Sequence, residues 1–387
     1  MKKKIAILGS SGSIGKNLIN ILKKDKRNIE ISLLVVNKNI KELLRQIKYF
    51  NVKNVIITDF EKFNYLKKLL NKKKINIYNN YNSLKKIFRN RKIDYTISAI
   101  SGLDGLEPTL KVIKYTKKIA IANKESLICA WTLIEKELFK NKTKFIPIDS
   151  EHYSIYSLLG GLKNNNIEKV YLTASGGPFQ KYPLNKFKSI TLKSALKHPN
   201  WKMGKKITID SATMMNKVFE VIEANKIFNI RYNKLNILVH PKSYVHALVK
   251  FKNGVTKILI HDTNMTIPIF NSLYDQGRAI KTKELDFSVI NNLNFEKINP
   301  KKFPVTQILN TLPESHSLFE TVIVAANDTL VKMFINNEIK FLDISRTLMK
   351  SLKNNDFTRF KKIKPKNIEE IKRLNEYVRL KIRSLHI

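Results

Sequence analysis

The chain has 387 residues, 72 Lys and Arg against 31 Asp and Glu, a formal net charge of +41 and 43% hydrophobic residues. It is long enough for two or three domains and too apolar for global disorder. No run approaches the roughly 18–20 unbroken apolar residues of a membrane helix, and the single cysteine, Cys129, excludes an intramolecular disulfide framework and a multi-cysteine metal site. Such a charge is the usual footprint of a nucleic-acid binder. Against that, lysine supplies 61 of the 72 basic residues and arginine only 11, although arginine is the better bidentate reader of phosphate and guanine. Lys, Asn and Ile, all with A/T-rich codons, together make up 152 residues, so base composition accounts for the charge without a partner. The expectation is a protein with no nucleic-acid and no membrane partner, whose field draws in small anions.

Lys3–Gly9 reads as a short buried strand that runs into Gly9-Ser10-Ser11-Gly12-Ser13-Ile14-Gly15. The apolar run after Met1-Lys2-Lys3-Lys4 is too short for a cleavable export signal, and a strand so near the start fits a cytoplasmic, bacterial protein. Ile14, Leu18, Ile21 and Leu22 recur at helical spacing, so a helix starts near Ser13. Strand-like runs follow at 29–36, 54–58, 94–99, 117–123 and 143–149, separated by lysine-rich amphipathic segments. That alternation predicts a parallel α/β sheet. Beyond 150 the runs at 168–174, 236–240, 244–251 and 254–261 predict a second sheet, with a helix from about 212 to 228 between them. From about 305 the chain reads as helices. The expected architecture is α/β: a Rossmann-like domain at 1–149, a central α/β domain at 150–290, and a C-terminal helical bundle at 291–387.

Strand, glycine turn and helix in that order make the G-x-x-G-x-x-G string informative. Its glycines admit a close pyrophosphate, and the helix N-terminus offers free N–H groups. Ser11, Gly12, Ser13 and Ile14 are therefore candidate cofactor contacts. At the end of the second strand an NAD enzyme usually carries a carboxylate for the ribose hydroxyl, whereas Asn37, Lys38 and Asn39 stand here. A 2′-phosphate is favoured, hence NADP(H).

Asp149-Ser150-Glu151 falls at the carboxyl end of a sheet strand, where open α/β folds bind ligands. On an extended segment both carboxylates point the same way and suit one hard cation. If 212–228 is helical, Asn216, Lys217 and Glu220 share a face, either as part of a site or as a surface ion pair. Thr173–Phe179 is suited to a phosphate or oxyanion. The loop His198–Lys205, with Trp201, is suited to closing over a ligand. His240 and His246 lie in apolar surroundings and read as core histidines.

Taken together, GSSGSIG at 9–15, ANKESL at 122–127, PIDSEH at 147–152, TASGGPF at 173–179, HPNWKMGKKITIDSATMMNK at 198–217 and AAND at 325–328 resemble the 1-deoxy-D-xylulose 5-phosphate reductoisomerase family, in family order over nearly the whole chain. The resemblance implies NADPH, Mg²⁺ or Mn²⁺, a homodimer, and conversion of 1-deoxy-D-xylulose 5-phosphate to 2-C-methyl-D-erythritol 4-phosphate by a retro-aldol/aldol sequence and reduction. It implies metal carboxylates at Asp149, Glu151 and Glu220. It also implies substrate contacts at Ser150, Ser175, His198, Ser211, Asn216 and Lys217, of which the phosphate takes Ser175, His198, Ser211, Asn216 and Lys217. Lys124 matches a lysine near the reacting carbons, Asn123, Glu125 and Gly204 match cofactor contacts, and Trp201 resembles the indole of the lid. Glu151 is the candidate for proton transfer as well as metal binding.

The chain departs from the family pattern in four places. Ser11 replaces a usual Thr and keeps the hydroxyl. Asn37 replaces a usual Gly, with a positive φ expected to be tolerated there. Ser101–Gly105 departs from the usual small-residue turn. The G-x-P-D-M-R-x-P-I segment appears as His261-Asp262-Thr263-Asn264-Met265-Thr266-Ile267-Pro268-Ile269. Two other readings stand beside the reductoisomerase: another NADP-dependent dehydrogenase on the same first domain, and a nucleic-acid binder.

Overall fold

A computed structural model describes residues 2–71, 73–89, 91–161, 166–201, 203–274 and 278–385. The chain forms two compact units. One comprises Met1–Ser126, Leu133–Asp149 and Met265–Ile280, and the other Leu127–Thr132, Ser150–Asn264 and Lys281–Ile387.

The first unit alternates β1 (Lys3–Leu8), α1 (Ser13–Lys24), β2 (Ile29–Val36), α2 (Ile40–Phe50), β3 (Asn54–Ile57), α3 (Phe60–Leu69), β4 (Asn76–Tyr78), α4 (Leu84–Phe88), β5 (Ile93–Ser98), α5 (Leu106–Ile113), β6 (Thr116–Ile121), α6 (Lys124–Lys140) and β7 (Lys144–Pro147). The seven strands are parallel, in the order β4-β3-β2-β1-β5-β6-β7. The Rossmann-like α/β expectation is met. The order reverses at β1, between β2 and β5, and the crevice beyond the strand ends at such a switch point is where dinucleotides bind. Strands this apolar form because both faces are covered: Ile5, Ala6, Ile7 and Leu8 are fully buried.

The second unit holds α7 (Ser150–Leu159), β8 (Ile167–Ala174), α8 (Leu192–Ala195), α9 (Lys205–Thr213), α10 (Met215–Phe228), β9 (Leu235–Val239), β10 (Val245–Phe251) and β11 (Thr256–Ile260). After α11 (Thr266–Leu273), which belongs to the first unit, come α12 (Phe287–Ile290), β12 (Glu296–Lys297), α13 (Phe319–Ile335), α14 (Phe341–Ser351), α15 (Asn355–Thr358) and α16 (Ile368–Ser384). Its mixed sheet runs β11-β10-β8-β9-β12. Among the helices of the C-terminal region, α13 is buried nearly all round and packs against α14 and α16.

The structure differs from the sequence expectations in three local features. The single helix expected from about 212 to 228 is two, α9 and α10, because Met214 between them has a φ of +68°. A left-handed residue of this size breaks a helix. The 305–312 segment is a 3-10 helix, Pro304–Thr311, rather than an α-helix. Asp149 and Glu151 do not share an extended segment: β7 ends at Pro147 and Ser150 already opens α7. Among the described residues no helix is long and apolar enough to cross a membrane.

Candidate active site

In the first unit the glycine turn is shaped by backbone crowding. A Cβ on Gly15 would lie 2.3 Å from Gly9 O and 2.7 Å from Ser10 Cα, so the first turn of α1 can pack onto the turn only without a side chain. Gly12 is the N-cap of α1 and no side chain caps the helix. Ser13 and Ile14 therefore present helix-start N–H groups suited to an anion. At the end of β2, Asn37 Nδ2 donates to Thr58 Oγ1 at 2.9 Å, Lys38 is exposed, and Asn39 caps α2 by accepting from Glu42 N. Asn37 is not among the positive-φ residues, so the turn does not use the left-handed backbone expected of it.

Asn123 makes three structural hydrogen bonds through its side chain. Its Oδ1 caps α6 by accepting from Ser126 N at 2.6 Å, and its Nδ2 donates to Gly102 O and Ile100 O. Through it the 100–105 turn, which departs from the family pattern, is tied to the start of α6. Glu125 lies buried in the first turn of that helix. Lys124 opens α6, and its ammonium pairs with the Asp149 carboxylate beyond β7. One lysine and one carboxylate of the candidate site thus meet within this unit.

In the second unit α7 and α10 bring together a charged cluster. Ser150 Oγ donates to Glu151 Oε2 at 2.6 Å, and Lys217 Nζ reaches Glu151 Oε1 at 2.7 Å and also pairs with Glu220 Oε2. Asn216 Nδ2 donates to Glu220 Oε1. These three α10 residues share a face because they sit at i, i+1 and i+4 of the first turns. His152, fully buried, binds Glu220 O through Nε2 at 2.8 Å and so pins α7 to α10. Lys217 is 4% exposed and Glu220 1%, which rules out a surface ion pair. Burial alone pushes the Lys217 ammonium toward neutrality, but Glu151 and Glu220 outweigh it and hold its pKa above the ordinary lysine value.

A second cluster in the same unit is uncharged. Nε2 of His198 lies 3.1 Å from both Ser175 Oγ and Ser211 Oγ, while its Nδ1 accepts from Asn200 N and Trp201 N at 3.2 and 2.9 Å. Two backbone donors on Nδ1 leave the ring proton on Nε2, facing the hydroxyls. Burial pushes the imidazole down to about 4, so it is neutral at neutral pH. The loop after β8 reaches α9 closely: a Cβ on Gly177, whose φ is +64°, would lie 2.8 Å from Ser211 O. Gly177 N in turn donates to Ser175 Oγ at 3.1 Å. Trp201 follows His198 by three residues, and Asn200 ties that loop to Pro241 O and Ser243 Oγ, both at 2.7 Å. Gly204 caps the start of α9 without a side-chain bond.

Supporting residues appear that no spacing argument singled out. Asp210, 1% exposed, pairs with Lys206 at 3.0 Å and accepts from Asn327 Nδ2 at 2.8 Å, and Lys206 also reaches Asp328 at 3.0 Å. The AAND stretch thus clamps α9, which carries Ser211, to α13. The sequence signal was present as a motif, but its work is visible only when the two helices are brought together.

Residues 5–131 match the 1-deoxy-D-xylulose 5-phosphate reductoisomerase family, residues 145–228 match its C-terminal domain, and residues 261–381 match a further DXP reductoisomerase C-terminal domain. A 1-deoxy-D-xylulose 5-phosphate reductoisomerase of Pelagibacter ubique is 61% identical over 387 residues, all of both chains. The chain belongs to this family. A reductoisomerase of Sulfurihydrogenibium is 37% identical over 357 residues, covering 92% of each chain. Among solved structures, the Zymomonas mobilis reductoisomerase in complex with NADPH superposes with a TM-score of 0.89 at 30% identity, covering 100% of this chain and 99% of the other. A reductoisomerase in complex with NADPH, fosmidomycin and magnesium gives 0.90 at 28% identity, covering 99% and 98%. As a member of the reductoisomerase family, this chain is an NADP-dependent oxidoreductase.

Proposed function

We propose that Asp149, Glu151 and Glu220 hold the divalent Mg²⁺ or Mn²⁺ of this enzyme, and that Ser175, His198 and Ser211 hold the phosphate of its substrate. The reaction they serve is the NADPH- and metal-dependent conversion of 1-deoxy-D-xylulose 5-phosphate to 2-C-methyl-D-erythritol 4-phosphate. The observation that carries the assignment is the buried Glu151–Lys217–Glu220 cluster. Buried Glu220 and half-buried Glu151 share a single ammonium, which leaves one negative charge for a cation to offset, and an all-oxygen donor set suits hard Mg²⁺ or Mn²⁺. Asn216 Oδ1, buried without a hydrogen-bond partner among the described residues, adds a further oxygen acceptor beside them. Asp149 supplies the third carboxylate two residues before Glu151.

When bound, the cation polarises the substrate carbonyl and stabilises developing oxyanion charge. The chain's own groups do the rest. Neutral His198 donates from Nε2, and Ser175 and Ser211 present hydroxyls, so a phosphate is met by preorganised dipoles. Ser150, bonded to Glu151, fixes that carboxylate for contact with a substrate hydroxyl and for moving its proton. Lys217 and Asn216, which pair with Glu220, complete the phosphate contacts, and Lys124 orients Asp149. Trp201 closes over the substrate and excludes water. NADPH takes the turn at Ser11, Gly12, Ser13 and Ile14, with Asn37, Lys38 and Asn39 at the ribose phosphate and Asn123, Glu125 and Gly204 lining the remainder. NADPH and magnesium in the solved relatives support this pairing.

We further propose the functional division 1–149, 150–290 and 291–387, a homodimer and a cytoplasmic location. Sedimentation of the purified protein tests the dimer. The deciding experiment for the function is NADPH oxidation followed by absorbance: it requires both 1-deoxy-D-xylulose 5-phosphate and Mg²⁺ or Mn²⁺. Folded, NADPH-binding protein that stays inert with both present overturns the reading.

A further inference from the structure

β10 and β11 pair antiparallel with a break in register between Val245 and Ala247, so that His246 is the extra residue of a β-bulge. Bulges re-aim a side chain out of the strand alternation. The His246 imidazole lies against two rings. One is the Trp201 indole, edge-on, with centroids 6.2 Å apart and planes at 72°. The other is His261, just past the end of β11, stacked at 3.7 Å with an interplanar angle of 17°. His246 Nε2 donates to His261 O at 3.1 Å, and His261 N donates back to Tyr244 O at 3.2 Å. His261 Nδ1 donates to Asp262 O at 2.7 Å, which fixes the tilt of its ring. Both histidines are buried, at 2% and 8% exposure.

We propose that His261 is a positioning residue for the lid. Its ring backs the bulged His246 and its carbonyl fixes that ring's orientation, so the surface on which Trp201 rests is built before substrate arrives. A seat built in advance lowers the ordering cost of closure, which appears in substrate binding rather than in chemistry. His261 acts through the His246 ring rather than on substrate or cofactor. The proposal rests on Trp201 serving as the lid, but the seat itself is tested without turnover.

The chain has two tryptophans, so Trp131→Phe leaves Trp201 as the sole indole reporter. In that background, acrylamide quenching of the ligand-free protein measures how well the indole is covered. His261→Leu, which fills volume without a flat ring, and His261→Ala are expected to raise the quenching constant about twofold, while His261→Phe keeps the parent value. In the otherwise unaltered enzyme the Leu and Ala variants should raise KM for 1-deoxy-D-xylulose 5-phosphate about 2–12-fold, the range of one aromatic pair. kcat should stay within about twofold, with recovery in His261→Phe. Unchanged quenching in both ringless variants, or His261→Phe behaving like His261→Leu, overturns the proposal. Absence of turnover in the parent enzyme overturns the function instead, and the quenching comparison still decides the seat.

Discussion

Glu151, Lys217 and Glu220 form a buried knot of full charges, whereas Ser175, His198 and Ser211, on the same unit, present only neutral groups. The first set joins α7 to α10 and the second joins α9 to the loops after β8 and α8, yet they solve opposite problems. In the first, one ammonium offsets two carboxylates, so removing Lys217 strands both at a cost of about 3–5 kcal/mol. In the second, no charge has been buried, and the cradle exists in full before any anion arrives.

The sharpest way to break that contrast is Glu220→Gln. It removes one charge while keeping the shape, and substrate-dependent NADPH oxidation should fall by about 100-fold or more. NADPH binding, followed by cofactor fluorescence, should be unchanged. A near-normal rate would remove Glu220 from the metal shell. His198→Ala comes next: it leaves both hydroxyls without their shared donor, and KM for the substrate should rise about 10–100-fold. Mn²⁺ affinity, read by calorimetry, should not move, and a parallel loss would mean the two clusters are one. Ser211→Ala removes a single hydroxyl, so steady-state kinetics should show a rise in KM of about 3–10-fold with kcat retained.

The smallest effect is one of pH. The His198 ring should titrate near 4 by NMR, far below the ordinary 6.5, because burial disfavours its charged form. A histidine depressed by folding is protonated first in the unfolded chain. Its contribution to stability is therefore complete above about pH 6.5 and is lost as the pH falls from there to about 4. Denaturation midpoints across that window, compared between the parent and His198→Ala, isolate the slope. A parent imidazole that titrates near 6.5 would carry a charge in the cradle below that pH and erase the contrast there.

Much of this was legible in the residues. The alternation of apolar runs and lysine-rich helices defined a parallel sheet, because a strand covered on both faces has to be apolar throughout. The glycine string marked the tight turn after β1, since only glycine at position 15 lets α1 approach Gly9 O. Spacing placed Asn216, Lys217 and Glu220 on one helical face, and it did so although the helix itself starts later than expected. The +41 charge, by contrast, named no partner.

What tertiary structure alone decided is which side chains meet across distance. That Lys217 pairs with Glu151 on another helix, that one imidazole serves two hydroxyls 36 residues apart in sequence, and that Asn327 holds Asp210 cannot be read from local pattern. Each depends on how two elements approach. The break at Met214 belongs to the same class: nothing in the propensity of methionine demands a left-handed backbone, and the turn is fixed by the packing that α9 and α10 achieve on either side of it. His246 is the clearest case. By sequence it is an apolar-strand histidine, and a one-residue slip between β10 and β11 turns it toward Trp201. Sequence determines which chemistry is available here because composition and periodicity are local. Position in space is a sum over contacts between elements, and only the folded chain performs that sum.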